Sequence, residues 1–167
     1  MRVTSSWLMD IYSELERSEI GEVVGRTPYL YPILETLHIL GIAILVGSAL
    51  AFDLRLLGIG KRILPVTIAA RHLLPLCHIG FIIAAVTGTV LFTASALGVG
   101  LSAAAPWKLG LIVIAGVNIV IFHCGVYKTV ERWDLHIQAP ISARFAAVIS
   151  SLTWTGVITA GRLLAYI

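Results

Sequence analysis

Three histidines, His38, His78 and His123, stand inside stretches apolar enough to cross a membrane. An ionisable side chain at that depth is expensive, turns toward protein or water, and marks function by default. Two neutral imidazoles facing each other can ligate a haem iron from both sides. Imidazole combined with thiolate suits copper. His123 is common to every pairing considered below. It lies in LGLIVIAGVNIVIFHCGVYK, Leu109 to Lys128, where Asn118 and His123 are the only strongly polar side chains before Tyr127. Gly116 stands seven residues before His123, two helical turns back on the same face, and leaves room there for a flat group.

Depth separates the pairings. Counted at about 1.5 Å per residue from the positively charged ends of their segments, His78 lies roughly 10 Å deep and His123 roughly 8 Å. His38 lies roughly 20 Å from that side on the same rise. His78 and His123 therefore fall at one level on consecutive helices, the geometry for bis-histidine ligation of haem b. Arg71 precedes His78 by two turns on the same face, where it could pair with a haem propionate. The competing pair is His38 with His123, diagonal across a four-helix bundle, with Gly41 opening space one turn after His38. The bland reading is that each histidine hydrogen-bonds a neighbouring helix.

Glu35 and His38 form E-x-x-H on one helical face. A carboxylate-bridged metal pair would need a second copy of that spacing, which is missing. The pair could instead exchange protons at a quinone or other ligand site, with Asn118 at a comparable depth. The doublets Cys77–His78 and His123–Cys124 suggest copper as the alternative metal. Adjacent residues point about 100° apart on a helix, however, so all four converge with difficulty. His72 and His136 fall in or beside loops and read as structural or solvated. No catalytic side chain is assigned. Cys77 and Cys124 sit in apolar runs and read as buried small hydrophobes rather than a disulfide.

The elements that must hold these residues follow from composition. The chain is 58% hydrophobic and 13% charged over 167 residues, with mean hydropathy +0.94. A soluble domain of that size could not bury so much apolar surface. The expected fold is all-α: a four-helix transmembrane bundle at 28–167, behind an amphipathic surface segment at 1–27. The spans are expected at 28–52, 73–98, 107–128 and 140–162. In the N-terminal segment, Thr4, Ser5 or Ser6 could cap a helix whose Trp7, Leu8, Ile11, Tyr12 and Leu15 share one face. That helix lies on the membrane surface or caps the bundle. No apolar run follows Arg2, so no signal peptide is expected.

Asp53, Arg55, Lys61 and Arg62 are read as a loop after the first span, and Gly98 to Pro106 as a small-residue loop after the second. The fourth span carries no histidine. Its Ala143, Ala146, Ala147, Ser150, Ser151 and Gly156 let membrane helices pack closely. Lys and Arg gather in the loops after the first and third spans, and positive loops stay cytoplasmic, so both termini are expected outside. There is no basic run with interleaved aromatics, hence no nucleic-acid partner.

The run YPILETLHILGIAILVGSALAFDLRLLG, then TGTVLF, then KLGLIVIAGVNIVIFH, resembles a family of small bacterial inner-membrane proteins of unassigned function. The resemblance covers roughly Tyr31 to Asp134. Glu35, His38, Asp53, Arg55, Gly88, Lys108, Asn118 and His123 fall at positions associated with it. His78 does not, so the resemblance favours the diagonal pair. The architecture is also similar to four-helix b-type cytochromes and to CopD-like copper-resistance membrane proteins. It implies an electron-transfer protein exchanging electrons with quinone and a redox partner protein, or a copper-handling or transport protein. A non-catalytic subunit of a membrane complex, as homo- or hetero-oligomer, is the third expectation.

Overall fold

The structure, a computed structural model, describes residues 6–164. Helices α1 (Ser6–Glu16) and α2 (Glu19–Arg26) precede the first long helix, α3 (Leu30–Leu56). Then come α4 (Val66–Ala94), the short α5 (Ala96–Leu101), α6 (Ala104–Cys124), a 3-10 segment Val126–Arg132, and α7 (Ile141–Leu163). There is no strand among the described residues.

Helices α3, α4, α6 and α7 hold 27, 29, 21 and 23 residues and are apolar enough to span a membrane. No more than 33% of the most apolar window of any of them is buried in protein. The remaining apolar surface, including Ile39, Ile82, Val86, Ile121 and Leu152, is exposed for lipid. The inward faces are lined by small residues instead, among them Ala69, Ala70, Ala115, Ala143 and Ala147. Between membrane helices close packing replaces the hydrophobic effect, and small side chains permit it.

Helix α3 packs along α4, α6 along α7, and α3 against α7. Between α4 and α6, by contrast, no Cα pair comes within 8 Å. The bundle is thus an up-and-down ring whose interface between the second and third spans stands open. The α3–α4 seam is the tightest. A Cβ on Gly80 would lie 2.5 Å from the Leu45 nitrogen, and one on Gly41 2.8 Å from the Ala84 nitrogen.

Several boundaries differ from the sequence expectation, for reasons that lie far along the chain. Asp53 and Arg55 are not in a loop; they sit in the last turns of α3 at 4% and 2% exposure. Arg55 is satisfied there because its Nη2 donates to the Asp134 carbonyl at 2.8 Å and its Nε to the Leu64 carbonyl. Helix α4 begins at Val66, so Arg71 and His72 are helical. Pro65 offers no side-chain cap, and Asp134 supplies one from across the molecule. It accepts from the Thr67 nitrogen at 2.7 Å and the Thr67 hydroxyl at 2.9 Å. The Asp134 carbonyl also takes the Val66 N–H at 3.0 Å, and His136 donates its N–H to Lys61 at 3.0 Å. Both basic loops are thereby tied into one plate. The third span ends at Cys124 and tightens into the 3-10 segment after Gly125.

At the opposite end the N-terminal segment is two helices. Thr4 and Ser5 lie outside the described residues; Ser18 caps α2 by accepting from the Gly21 nitrogen at 3.3 Å. Tyr12 meets Phe92 edge-on, with centroids 6.0 Å apart, and Glu16 Oε1 accepts from the Leu97 nitrogen at 2.8 Å. The pair therefore caps the bundle, while Trp7, Ile11, Ile20 and Val23 remain exposed on its outer side. The expected small-residue loop, 98–106, instead holds the end of α5 and the first turn of α6.

Candidate functional site

The open interface is a cleft of about 480 Å³. His78 and Cys77 reach it from α4, and Gly116, Asn118, His123 and Cys124 from α6. Helix α3 contributes Asp53, and α7 contributes Ser150 and Trp154. The rest of the lining is mostly aliphatic and aromatic.

His123 has a defined tautomer. Its Nδ1 lies 2.9 Å from the Ile119 carbonyl, which can only accept, so Nδ1 carries the proton. In the neutral ring Nε2 then keeps the lone pair with which imidazole binds a metal. Phe122 and Tyr127 flank the ring, with centroids 5.2 and 5.3 Å away. Tyr127 also lines a smaller hollow of about 300 Å³ with Thr67, Arg71, Pro75 and His78. The same tyrosine thus borders both His123 and the hollow that His78 lines. Arg71 shares that hollow with His78, as their two-turn spacing requires. On α6, a Cβ at Gly116 would meet nothing within 4 Å.

His38 is not among the residues lining this cleft. It turns to α4, where its Nδ1 is 3.1 Å from the Thr87 hydroxyl. That hydroxyl donates to the Ile83 carbonyl at 2.6 Å and so accepts from His38. The ring lies over Gly88: a Cβ there would stand 2.7 Å from Cε1. Glu35 and Lys108 are the charged groups whose fields reach His38. Asn118 does not join that group; its Nδ2 donates to the Ala146 carbonyl at 2.9 Å and ties α6 to α7.

A polar set that looks continuous along the sequence is thus two sites. One holds Glu35, His38, Thr87, Gly88 and Lys108; the other holds Asp53, Asn118, His78 and His123. Asp53 is the cleft residue that sequence reasoning assigned to a loop.

Cys77 donates weakly to the Leu45 carbonyl, at 3.8 Å. Among the described residues no three His, Cys, Asp or Glu side chains converge as a metal site would require. Of what a haem would need, the cleft offers two imidazoles and an apolar lining, while the nearby cation, Arg71, lines the smaller hollow beside His78 and not the cleft itself.

A family model for a family of unknown function, DUF6644, matches residues 15–167. The chain belongs to that family. The match covers all four spanning helices, α2 and the cleft, and begins near the end of α1. Comparisons with curated proteins and with solved structures gave no match.

Proposed function

We propose that the protein is a membrane b-type cytochrome in which His78 and His123 would hold a haem b in the cleft between α4 and α6. The observation that carries this reading is that one open helix interface receives a histidine from each of its two walls. When bound, the haem would supply a reversible one-electron couple within the membrane. With Nδ1 engaged by the Ile119 carbonyl, Nε2 is the His123 nitrogen that would bind the group. Arg71, beside His78, would pair with a propionate by a charge-assisted contact. The aliphatic walls would exclude water from the bound group, and Gly116 leaves the third span flat along the cleft. Quinone and a membrane or extracytoplasmic redox protein are the proposed exchange partners, and the bacterial inner membrane, with both termini outside, the proposed location.

The alternative of copper handling draws on Cys77, His78, His123 and Cys124 all lining the cleft. It is disfavoured because no three of these ligands converge.

The test is the colour of the full-length protein purified from cells supplied with haem precursor. It is expected red, with an absorption band that shifts on reduction. His78→Ala and His123→Ala should each lose most of the bound haem, while His38→Ala and His72→Ala keep it. Colourless wild-type protein overturns the cytochrome reading. Haem loss in His38→Ala with retention in His78→Ala transfers the second ligand to the diagonal histidine.

A further inference from the structure

Asp53 plays no part in haem ligation, yet it is the one carboxylate in the cleft lining. It is 4% exposed, lies in a spanning helix, and accepts from the Ser151 hydroxyl at 3.1 Å. Ser150, the next residue on α7, also lines the cleft. An ionised carboxylate out of water costs several kcal/mol unless it is paired, so the charge of Asp53 depends on the charge of whatever else occupies the cleft. No ion pair involves Asp53 among the described residues. Arg55, two residues on, directs its guanidinium to the Leu64 and Asp134 carbonyls.

The other titratable groups lining the cleft with Asp53 are Cys77 and His78 from α4, and His123 and Cys124 from α6. The stretch of α7 beside it, from Ala146 to Trp154, carries none. From Asp53 to the end of α3 at Leu56 is three residues, about 4.5 Å of helix rise, and that end is closed by buried Phe52 and Leu56, so the open side of Asp53 is the cleft itself.

We propose that Asp53 is the proton-exchanging group of the cleft: it takes one proton from water reaching the cleft when one electron enters it, and releases that proton when the electron leaves. This rests on the cytochrome reading for the source of the charge change. The balance is closed. One electron arrives from a reduced donor, a quinol or, in the assay, dithionite; one proton adds to the Asp53 carboxylate; the net charge buried in the cleft is unchanged. Without that proton, an added negative charge would sit beside an existing one in a low dielectric, which opposes reduction. Ser151 holds the carboxyl in either state, since a hydroxyl donates to a carboxylate and accepts from a carboxylic acid.

Two measurements on the full-length protein in lipid nanodiscs test this. The first is the haem midpoint potential against pH for wild type, Asp53→Asn and Asp53→Glu. The wild-type potential should fall as pH rises, Asp53→Asn should lose that slope, and Asp53→Glu should keep it. An undiminished slope in Asp53→Asn overturns the proposal. The second needs no haem: a membrane-soluble carbodiimide, which reacts with protonated carboxyls, followed by mass spectrometry. Asp53 should be labelled at mildly acid pH and progressively spared as pH rises, with no label at that position in Asp53→Asn. If the protein lacks haem but shows this labelling, the cytochrome reading fails and Asp53 stands as the proton-exchanging group of the cleft. Absence of labelling at every pH overturns that role as well.

Discussion

The cleft depends on what is missing at one position. A Cβ at Gly116 would meet nothing within 4 Å, yet the residue lines the cleft two turns from His123. Gly116→Ala should therefore be tolerated and, by reducing the freedom of the unfolded chain, stabilise by about 0.5–1 kcal/mol. Gly116→Leu should fold equally well but project into the volume reserved for a flat ligand. Unfolding in mild detergent measures the first effect and bound haem per protein the second. A leucine variant that retains full haem would separate the cleft from the cofactor. Gly88 is the opposite case: its missing side chain is already occupied by the His38 ring, 2.7 Å from where a Cβ would stand. The two glycines look alike in the sequence, and one makes room for an occupant while the other seats a side chain of the same chain.

At the scale of helices, the α3–α4 seam is the fixed wall against which the cleft opens. Gly80→Ala would drive a Cβ to 2.5 Å from the Leu45 backbone nitrogen, and backbone cannot rotate away. The expected loss is about 1–3 kcal/mol, as for overpacking elsewhere, read as a lower unfolding midpoint. The start of α4 depends on a residue 67 positions away, since Thr67 takes its cap from Asp134. Asp134→Ala removes that cap and the anchor for the Thr67 hydroxyl, and should cost about 0.5–2 kcal/mol. Because the same residue's carbonyl still holds Arg55, the loss should appear as faster amide exchange in the first turn of α4, with the end of α3 protected. Equal exchange at both ends would mean that the plate does not depend on the carboxylate.

For the whole molecule, the ring of four spans is closed on three sides and open on one. That single opening lies between the two helices that carry His78 and His123. The charge distribution predicts an orientation: Lys61 and Arg62 lie in the loop after α3, and Lys128 and Arg132 in the 3-10 segment after α6. With positive loops retained in the cytoplasm, Lys61→Cys should react with an impermeant thiol reagent only in inverted vesicles. Leu101→Cys, at the end of α5, should react only in intact cells. The reverse pattern would invert the topology, while leaving fold and cleft as described.

Four spans and the all-α class were legible in the sequence because hydropathy is a local property: about twenty consecutive apolar residues suffice to make a spanning helix. The common face of Gly116 and His123 was legible for the same reason, since helical periodicity is local too. Which interface opens was not. Every span is apolar and small-residue-bearing, and only the packing of α3 on α4 and of α6 on α7 leaves the second and third spans apart. The position of Asp53 was not legible either. A run of charges after an apolar stretch reads as a loop until partners far along the chain keep it helical: Ser151 for Asp53, and Asp134 for Arg55. Sequence alone determined how many helices cross and which faces carry polar groups. The tertiary structure decided which polar groups share a site, because buried hydrogen-bonding partners are recruited by proximity in space.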